Sequence, residues 1–283
     1  AARKSPYTAR FGVTVILFYV LVALLAPLLA PYGEAQIFPA PYEPWNAKHL
    51  FGTDQIGRDI LSRLIFGAQN TVGIAFVTTL LAFFIGISLG FLAATIGGVL
   101  DQVLSRIVDM LMSIPQLIFA LLLMTIATTW FGSQKAVITL MMVLIIAVLD
   151  STRVFRLSRA VGMNIVVMDF FEAAKLRGEK MSYLIFREIA PNAFAPLLAE
   201  FGLRFCFVFL TIASLSFLGV GIQPPLADWG TMVRDLSNFI NFAMLSPLTA
   251  ALPLMAAGAI ALLTVAVNFV VDWMLHRASG LKE

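Results

Sequence analysis

Glu200 and Arg204 stand four residues apart inside an otherwise uncharged apolar run from Ala193 to Ser216. Residues at that spacing lie one turn apart on the same face of a helix, so a carboxylate and a guanidinium placed there can neutralise each other. In lipid an ionisable group is costly unless it is paired or faces a polar cavity. The pair therefore reads in two ways: an ion pair that locks its helix into a bundle, or a polar wall of a path for solute. The spacing alone leaves both open. Asp109, near the start of a different apolar run, suits a cap or a pairing with a base such as Arg106 better than contact with solute.

Other reactive groupings are scarce. His49 and His276 are far apart with no Cys or carboxylate at ligand spacing, which argues against a structural metal site. The one cysteine, Cys206, lies in an apolar run and reads as a small buried hydrophobe. The sequence contains no G-x-x-x-x-G-K-[ST], and none of its six lysines follows a glycine, so it has no phosphate-cradling loop. Gly219 and Gly221 give only G-x-G, too little for a dinucleotide site. A membrane-embedded enzyme would need a clustered set of His, Cys or Asp residues, and none is evident.

What positions the charged pair is a membrane fold. Of 283 residues 60% are hydrophobic and 12% charged, about half the charged share of a soluble domain. Mean hydropathy is +0.93. The net charge of +3 does not point to nucleic acid, because the bases are not gathered with aromatics on one polar face. Phe11 to Ala30 is free of charge for twenty residues, about 30 Å as a helix and enough to cross the hydrocarbon core. The same reasoning predicts five further spans near Thr71 to Ile96, Ile107 to Trp130, Ala136 to Val154, Ala193 to Ser216 and Leu248 to Met274. The predicted fold class is all-α, with six transmembrane helices in a lipid bilayer.

Basic residues orient the spans, since those near helix ends are retained in the cytoplasm. With the N-terminus inside, thirteen bases fall on inner segments (Arg3, Lys4, Arg10, Arg106, Arg153, Arg156, Arg159, Lys175, Arg177, Lys180, Arg187, Arg277 and Lys282). Only five, Lys48, Arg58, Arg63, Lys135 and Arg234, fall outside. Both termini are therefore expected in the cytoplasm. Of the two long outer segments, Pro31 to Asn70 predicts a short helix capped by Thr53 or Asp54, with Ile60, Leu61, Leu64 and Ile65 on one side, lying along the membrane surface. Phe217 to Ser246, broken by Gly and Pro, predicts a re-entrant cap.

The inner stretch Glu172 to Asn192 carries seven charges in twenty-one residues and so faces water or a protein. Glu172 to Leu176 suits one short helix, Gly178 the sharp turn after it, and Met181 to Ile189 a second helix with Leu184, Ile185 and Ile189 on one face. Pro191 is expected to separate that helix from the fifth span. A helix-turn-helix of this kind, held outside the bilayer, reads as a docking knob.

The residues of that knob resemble a known family. E-A-A-x-x-x-G at Glu172 to Gly178, with Pro191 thirteen residues past the glycine, looks like the cytoplasmic motif of permease subunits in binding-protein-dependent ABC importers. G-T-D-Q-I-G-R-D-I-L-S-R from Gly52, R-I-V-D-M-L-M-S-I-P from Arg106 and S-F-L-G-V-G-I-Q-P-P from Ser216 continue the resemblance. Together they are similar to the "C" type permease of the dipeptide, oligopeptide and nickel importer family, over nearly the whole chain. Ala190 departs from the leucine usual before that proline.

That resemblance implies a type I importer permease fold in the inner membrane, working by alternating access. Its implied partners are a homologous second permease, two ATPase subunits that bind ATP and Mg, and a periplasmic or extracellular solute-binding protein; this chain carries no cofactor and is no enzyme. Glu172, Ala173, Ala174, Gly178 and Pro191 are the implied ATPase-coupling residues, and Glu200 and Arg204 the candidates for the path. The expected division is an N-terminal span with an external amphipathic segment over 1–70, and a five-span core over 71–283 with the coupling loop at 155–192. Peptides or peptide-like solutes are the implied cargo, with nickel, opines or glutathione as the alternatives within the family. A self-sufficient secondary transporter would show inverted repeats and midplane carboxylates, and no clear internal repeat is seen.

Overall fold

A computed structural model describes residues 7–242 and 244–279. Arg3, Lys4 and Lys282, counted above among the inner bases, lie outside the described residues. Every regular element among those described is helical, and the extended contacts are isolated bridges such as Ile37 with Arg58. Five helices are long and apolar enough to cross a membrane, or six when one bent pair is taken as a single span.

The first, α1 (Tyr7–Leu29), packs along the last, α11 (Pro247–Ser279), where the Tyr19 hydroxyl donates to the Ala259 carbonyl at 2.8 Å. The short helix α2 (Ile60–Gly67) departs from expectation twice. Its N-cap is Asp59, whose carboxylate accepts from the Ser62 N–H at 2.8 Å and from the Ser62 hydroxyl. Thr53 and Asp54 are already committed to the preceding turn: the Thr53 hydroxyl donates to Ala40, while Asp54 accepts from the Ile56 and Arg58 N–H groups and from Arg58 Nε at 2.6 Å. Nor does α2 lie across the membrane surface. A π-helical turn, Ala68–Val72, joins it to α3 (Gly73–Ile96), and together they form one continuous helix from Ile60 to Ile96. Its apolar side, with Ile60 buried, is used against α1 and α10 (Trp229–Leu236).

The third predicted span is broken. α4 (Gly98–Met112) and α5 (Gln116–Phe131) meet at 86° across Ser113 to Pro115. Proline disfavours helical backbone in the residue before it and starts a new helix readily after it, which accounts for the corner at Pro115. α6 (Lys135–Val166) runs 32 residues, twelve past the predicted end of the fourth span at Val154, because nothing in its charged extension breaks a helix.

α3 and α6 form the most extensive helix pair. Their close approach rests on Gly86 and Gly90, one turn apart: a Cβ on Gly86 would meet the Val154 side chain at 2.6 Å, and one on Gly90 the Ser158 side chain at 2.6 Å. Small residues at such a seam let helices gain contact where lipid offers no hydrophobic drive between them.

After α6 come α7 (Asp169–Leu176), a single turn α8 (Met181–Tyr183), a π-helical turn Leu184–Ile189, and α9 (Ala190–Phe217). Here too the expectation fails. Pro191 occupies the first turn of α9 and separates nothing, so Met181 to Phe217 is one continuous helix. Proline at a helix start lacks only a donor that would be unmet, and the wider π turn just before it gives the ring room. Beyond α9 the chain breaks at Gly219, as predicted, and α10 with a 3-10 turn, Ser237–Phe242, folds back on α9 and α11.

Besides a small cluster of Ala93, Val108 and Phe155, two larger apolar cores form among the described residues. The larger gathers Met124, Met142, Ile146, Phe209, Ile212 and Trp229 between the spans. The smaller joins Phe91 and Ile165 to Phe171, Ala174, Leu184 and Ile189 beneath the α7 and π-turn knob.

Candidate functional site

The knob is held by its own apolar face. Phe171 and Ala174 on α7 meet Leu184 and Ile189 on the following turn, with Ala193 and Leu197 from α9 below. Spacing of three residues in α7 puts Phe171 and Ala174 on one side, leaving Glu172 and Ala173 exposed on the other. Gly178 sits between the two arms at φ +80°, with open space where a Cβ would be. Its conformation, not crowding, demands glycine. The Gly178 and Glu179 N–H groups close the end of α7 on the Lys175 and Ala174 carbonyls at 3.0 and 3.3 Å. The outer surface mixes Glu172, Lys175, Arg177, Lys180 and Arg187 with two apolar side chains that nothing covers, Leu176 at 82% and Phe186 at 73% exposure.

The second grouping lies within the spans, where three helices converge at the α4/α5 corner. Arg204 Nε stands 2.7 Å from Glu200 on its own helix, so the predicted pair forms. A third member went unrecognised in the sequence: Asp150 of α6, fully buried, 3.7 Å from Arg204 Nη1. Gln116, the first residue of α5, donates from Nε2 to Asp150 Oδ1 at 3.4 Å. The Arg204 guanidinium also lies over the Phe207 ring, 4.5 Å from its centre, and Arg153 approaches the same ring at 5.8 Å. Hydrogen-bonding capacity is left over: Asp150 Oδ2 and both Arg204 Nε and Nη1 are buried without a hydrogen-bond partner, so the Arg204 contacts are ionic and not aligned hydrogen bonds.

Asp109, expected to cap or to pair with a base such as Arg106, pairs with a base, Arg156 of α6, at 2.6 Å, because α4 packs on α6 and turns that side toward it. Asp101, on the same helix, is gripped by Arg159 through two nitrogens, the longer contact 2.6 Å.

At the opposite end of the fold, the turns before α2 and α10 are knit by buried polar groups. Asp228 caps α10, accepting from the Thr231 N–H and hydroxyl at 2.7 Å and from the Thr71 hydroxyl at 3.1 Å. Burial pushes the Asp228 carboxyl above the usual range, against the pull of those hydrogen bonds. His49 is buried between Tyr32 and Phe38 with Nδ1 2.9 Å from Asp59, a structural role, and among the described residues no group of three His, Cys, Asp or Glu could hold a metal ion.

A family model described as the binding-protein-dependent transport system inner membrane component matches residues 86–279, the stretch that holds the knob and the charge cluster. The chain belongs to that family. It is thus a multi-pass membrane permease component with the type I importer fold. A second model, the N-terminal transmembrane domain of oligopeptide transport permease C, matches residues 6–47. Among relatives, the dipeptide transport system permease protein DppC of Haemophilus influenzae is 34% identical over 85% of this chain and 81% of its own length. The di/tripeptide permease DppC of Pseudomonas aeruginosa is 34% identical over 82% of this chain and 76% of its own. The protein named "Probable D,D-dipeptide transport system permease protein DdpC" of Escherichia coli is 32% identical over 84% of this chain and 77% of its own length.

Within this permease, Glu172, Ala173, Ala174 and Gly178 lie together on the knob, Pro191 stands at its junction with α9, and Glu200 and Arg204 meet as a pair. Sequence reasoning missed Asp150, Gln116, Arg153 and Phe207. The signal was present for Asp150, a carboxylate near the end of a predicted span, which needs a partner by the same argument applied to Glu200.

Proposed function

We propose that this chain is one of two homologous permeases in an ATP-driven importer that carries peptides into the cytoplasm by alternating access. The names of its relatives supply the cargo class, and the motif at Glu172 to Gly178 supplies the coupling partner. ATP and Mg are bound by two ATPase subunits, and a solute-binding protein delivers cargo from outside. Residues 1–70 provide the first span and the external segment, and 71–283 the five-span core, with both termini in the cytoplasm.

The carrying observation is the knob. It has a core of its own, yet it presents Leu176 and Phe186 bare among Lys175, Arg177, Lys180 and Arg187. An apolar pair rimmed by charge is the pattern of a surface that docks on protein. Glu172, Ala173, Ala174, Gly178 and Pro191 are assigned to forming and holding it. Closure of the ATPase pair around ATP would move the knob, and the helix that continues from it into the membrane would move too.

The test is reconstitution of the whole complex in proteoliposomes. ATP-dependent uptake of a dipeptide is expected, and Phe186→Asp should lose ATPase subunits on purification while the permease pair stays together. Retention of both ATPases by Phe186→Asp with Leu176→Asp would remove the docking role. Uptake of nickel, an opine or glutathione in place of a dipeptide would change the cargo and leave the coupling intact.

A further inference from the structure

We propose that the α5, α6 and α9 corner is a station for the two charged ends of a free peptide in passage, an inference that rests on the peptide reading above. The cluster contains two carboxylates, Asp150 and Glu200, and two guanidinium groups, Arg153 and Arg204, so it is neutral as a whole. A zwitterion that enters by exchanging partners with such a set adds no net charge to a low-dielectric place, whereas a singly charged solute does.

Three observations separate a station from a structural lock. A lock closes its own hydrogen bonds, but Asp150 Oδ2 and Arg204 Nε and Nη1 are buried and make none. Guanidinium has five donors in a fork that matches a carboxylate, and here Glu200 lies against Nε as an ion pair while Nη1 has no aligned acceptor. Secondly, the set is reachable, since Arg153 is exposed, Glu200 keeps 21% of its side chain uncovered and Phe207 is 45% exposed. Arg153 forms no ion pair among the described residues. Thirdly, the spacing fits. Asp150 and Arg153 are one turn apart on α6, roughly 5 to 6 Å between side-chain roots. The amino and carboxyl ends of an extended dipeptide are separated by roughly 6 Å from backbone dimensions.

Roles follow from charge. Arg153, with Nη1 of Arg204 behind it, takes the peptide carboxylate. Asp150 Oδ2, with Glu200 beside it on Arg204, takes the ammonium. Phe207, lying beneath both guanidinium groups, offers its exposed edge to an apolar side chain. Gln116 holds Asp150 at the corner and so positions the acidic side. An exposed arginine on a membrane helix also suits a lipid phosphate, but two carboxylates in the same cluster disfavour an anionic headgroup, and the test decides between them.

The experiment uses the complete complex in proteoliposomes, with alanylphenylalanine as probe and an unaltered solute-binding protein whose affinity for it is measured separately. Arg153→Gln should lower uptake about tenfold, the factor that one lost charge-assisted hydrogen bond is worth, while ATP hydrolysis stimulated by loaded binding protein changes little. Arg153→Lys should recover most of the uptake. Glu200→Gln should lower uptake in the same way. Normal uptake in Arg153→Gln overturns the station and leaves that arginine to lipid phosphate. Uptake and ATP hydrolysis falling together in Arg153→Gln also overturns it, in favour of a structural or coupling role. Absence of dipeptide uptake by the unaltered complex sinks the peptide reading itself, and the station with it.

Discussion

The Glu34 carboxylate accepts the backbone N–H of Ala227 at 2.7 Å, across 193 positions of sequence. The same oxygen accepts from the Asn70 side chain at 2.8 Å, and the Asn70 amide in turn donates to the Ala227 carbonyl. One carboxylate thereby fastens the segment after α1 to the head of the second span and to the turn before α10. Glu34→Ala leaves a part-buried N–H and an amide without their acceptor, at a cost of about 1 to 3 kcal/mol. Thermal unfolding of the purified complex should start earlier, and limited proteolysis should cut first in the segment between α1 and α2. Cleavage elsewhere, at the unaltered temperature, would count against this fastening.

Gly178 tests the knob by conformation alone. At φ +80° with nothing near a Cβ, Gly178→Val meets no clash but is strained by roughly 1 to 3 kcal/mol. Gly178→Asn, which tolerates the left-handed region, should be milder. Uptake is expected to fall in the order Val, Asn, Gly, with cargo still bound by its receptor. Equal uptake in all three would show that the turn is not needed.

The α3/α6 seam is tested by bulk. Gly86→Val places side-chain atoms where Val154 already lies, which forces the helices apart or off their rotamers at about 1 to 3 kcal/mol. The yield of folded complex should drop. Adding Val154→Gly, which removes the Cβ 2.6 Å from the new one, should restore part of it, and failure of that rescue would mean that the contact is not what limits packing.

The cluster around Arg204 changes how the pair must be tested. Glu200→Leu with Arg204→Met removes two charges but leaves Asp150, fully buried, without its guanidinium, at about 3 to 5 kcal/mol. That double variant should assemble poorly. Adding Asp150→Leu removes all three interacting members and leaves only the exposed Arg153, and such replacements are often neutral, so the triple variant should assemble again. Size-exclusion profiles of the complex read the difference. Assembly of the double variant at normal yield would show that Asp150 needs no partner.

Orientation is tested by labelling, with Cys206→Ala as background. A cysteine at Ser182, exposed on the knob, should react with an impermeant thiol reagent only in inverted or opened cells. One at Asn238, exposed beside α10, should react from outside. The opposite pattern reverses the topology.

What the sequence made legible was set by solvent. Five of the six spans follow from uninterrupted apolar length, and the knob from charge density and a glycine, since lipid and water each impose a composition. Local competition was harder to read. Thr53 and Asp54 are good caps by type, but a turn built on Asp54 and Arg58 takes them first and leaves the cap to Asp59. Pro191 reads as a breaker until the preceding π turn makes room for it. Asp150 and Arg204, 54 positions apart, meet only because α6 and α9 pack together, which no spacing in one helix announces.

The continuity of Met181 to Phe217 has a mechanical meaning. A helix of 37 residues is roughly 55 Å long, and this one carries no bend of the kind found between α4 and α5. On the proposed coupling, displacement of the knob would travel along one helix, through the π turn and past Pro191 and Pro196, to Glu200 and Arg204, so that knob and charged corner would move as parts of a single element.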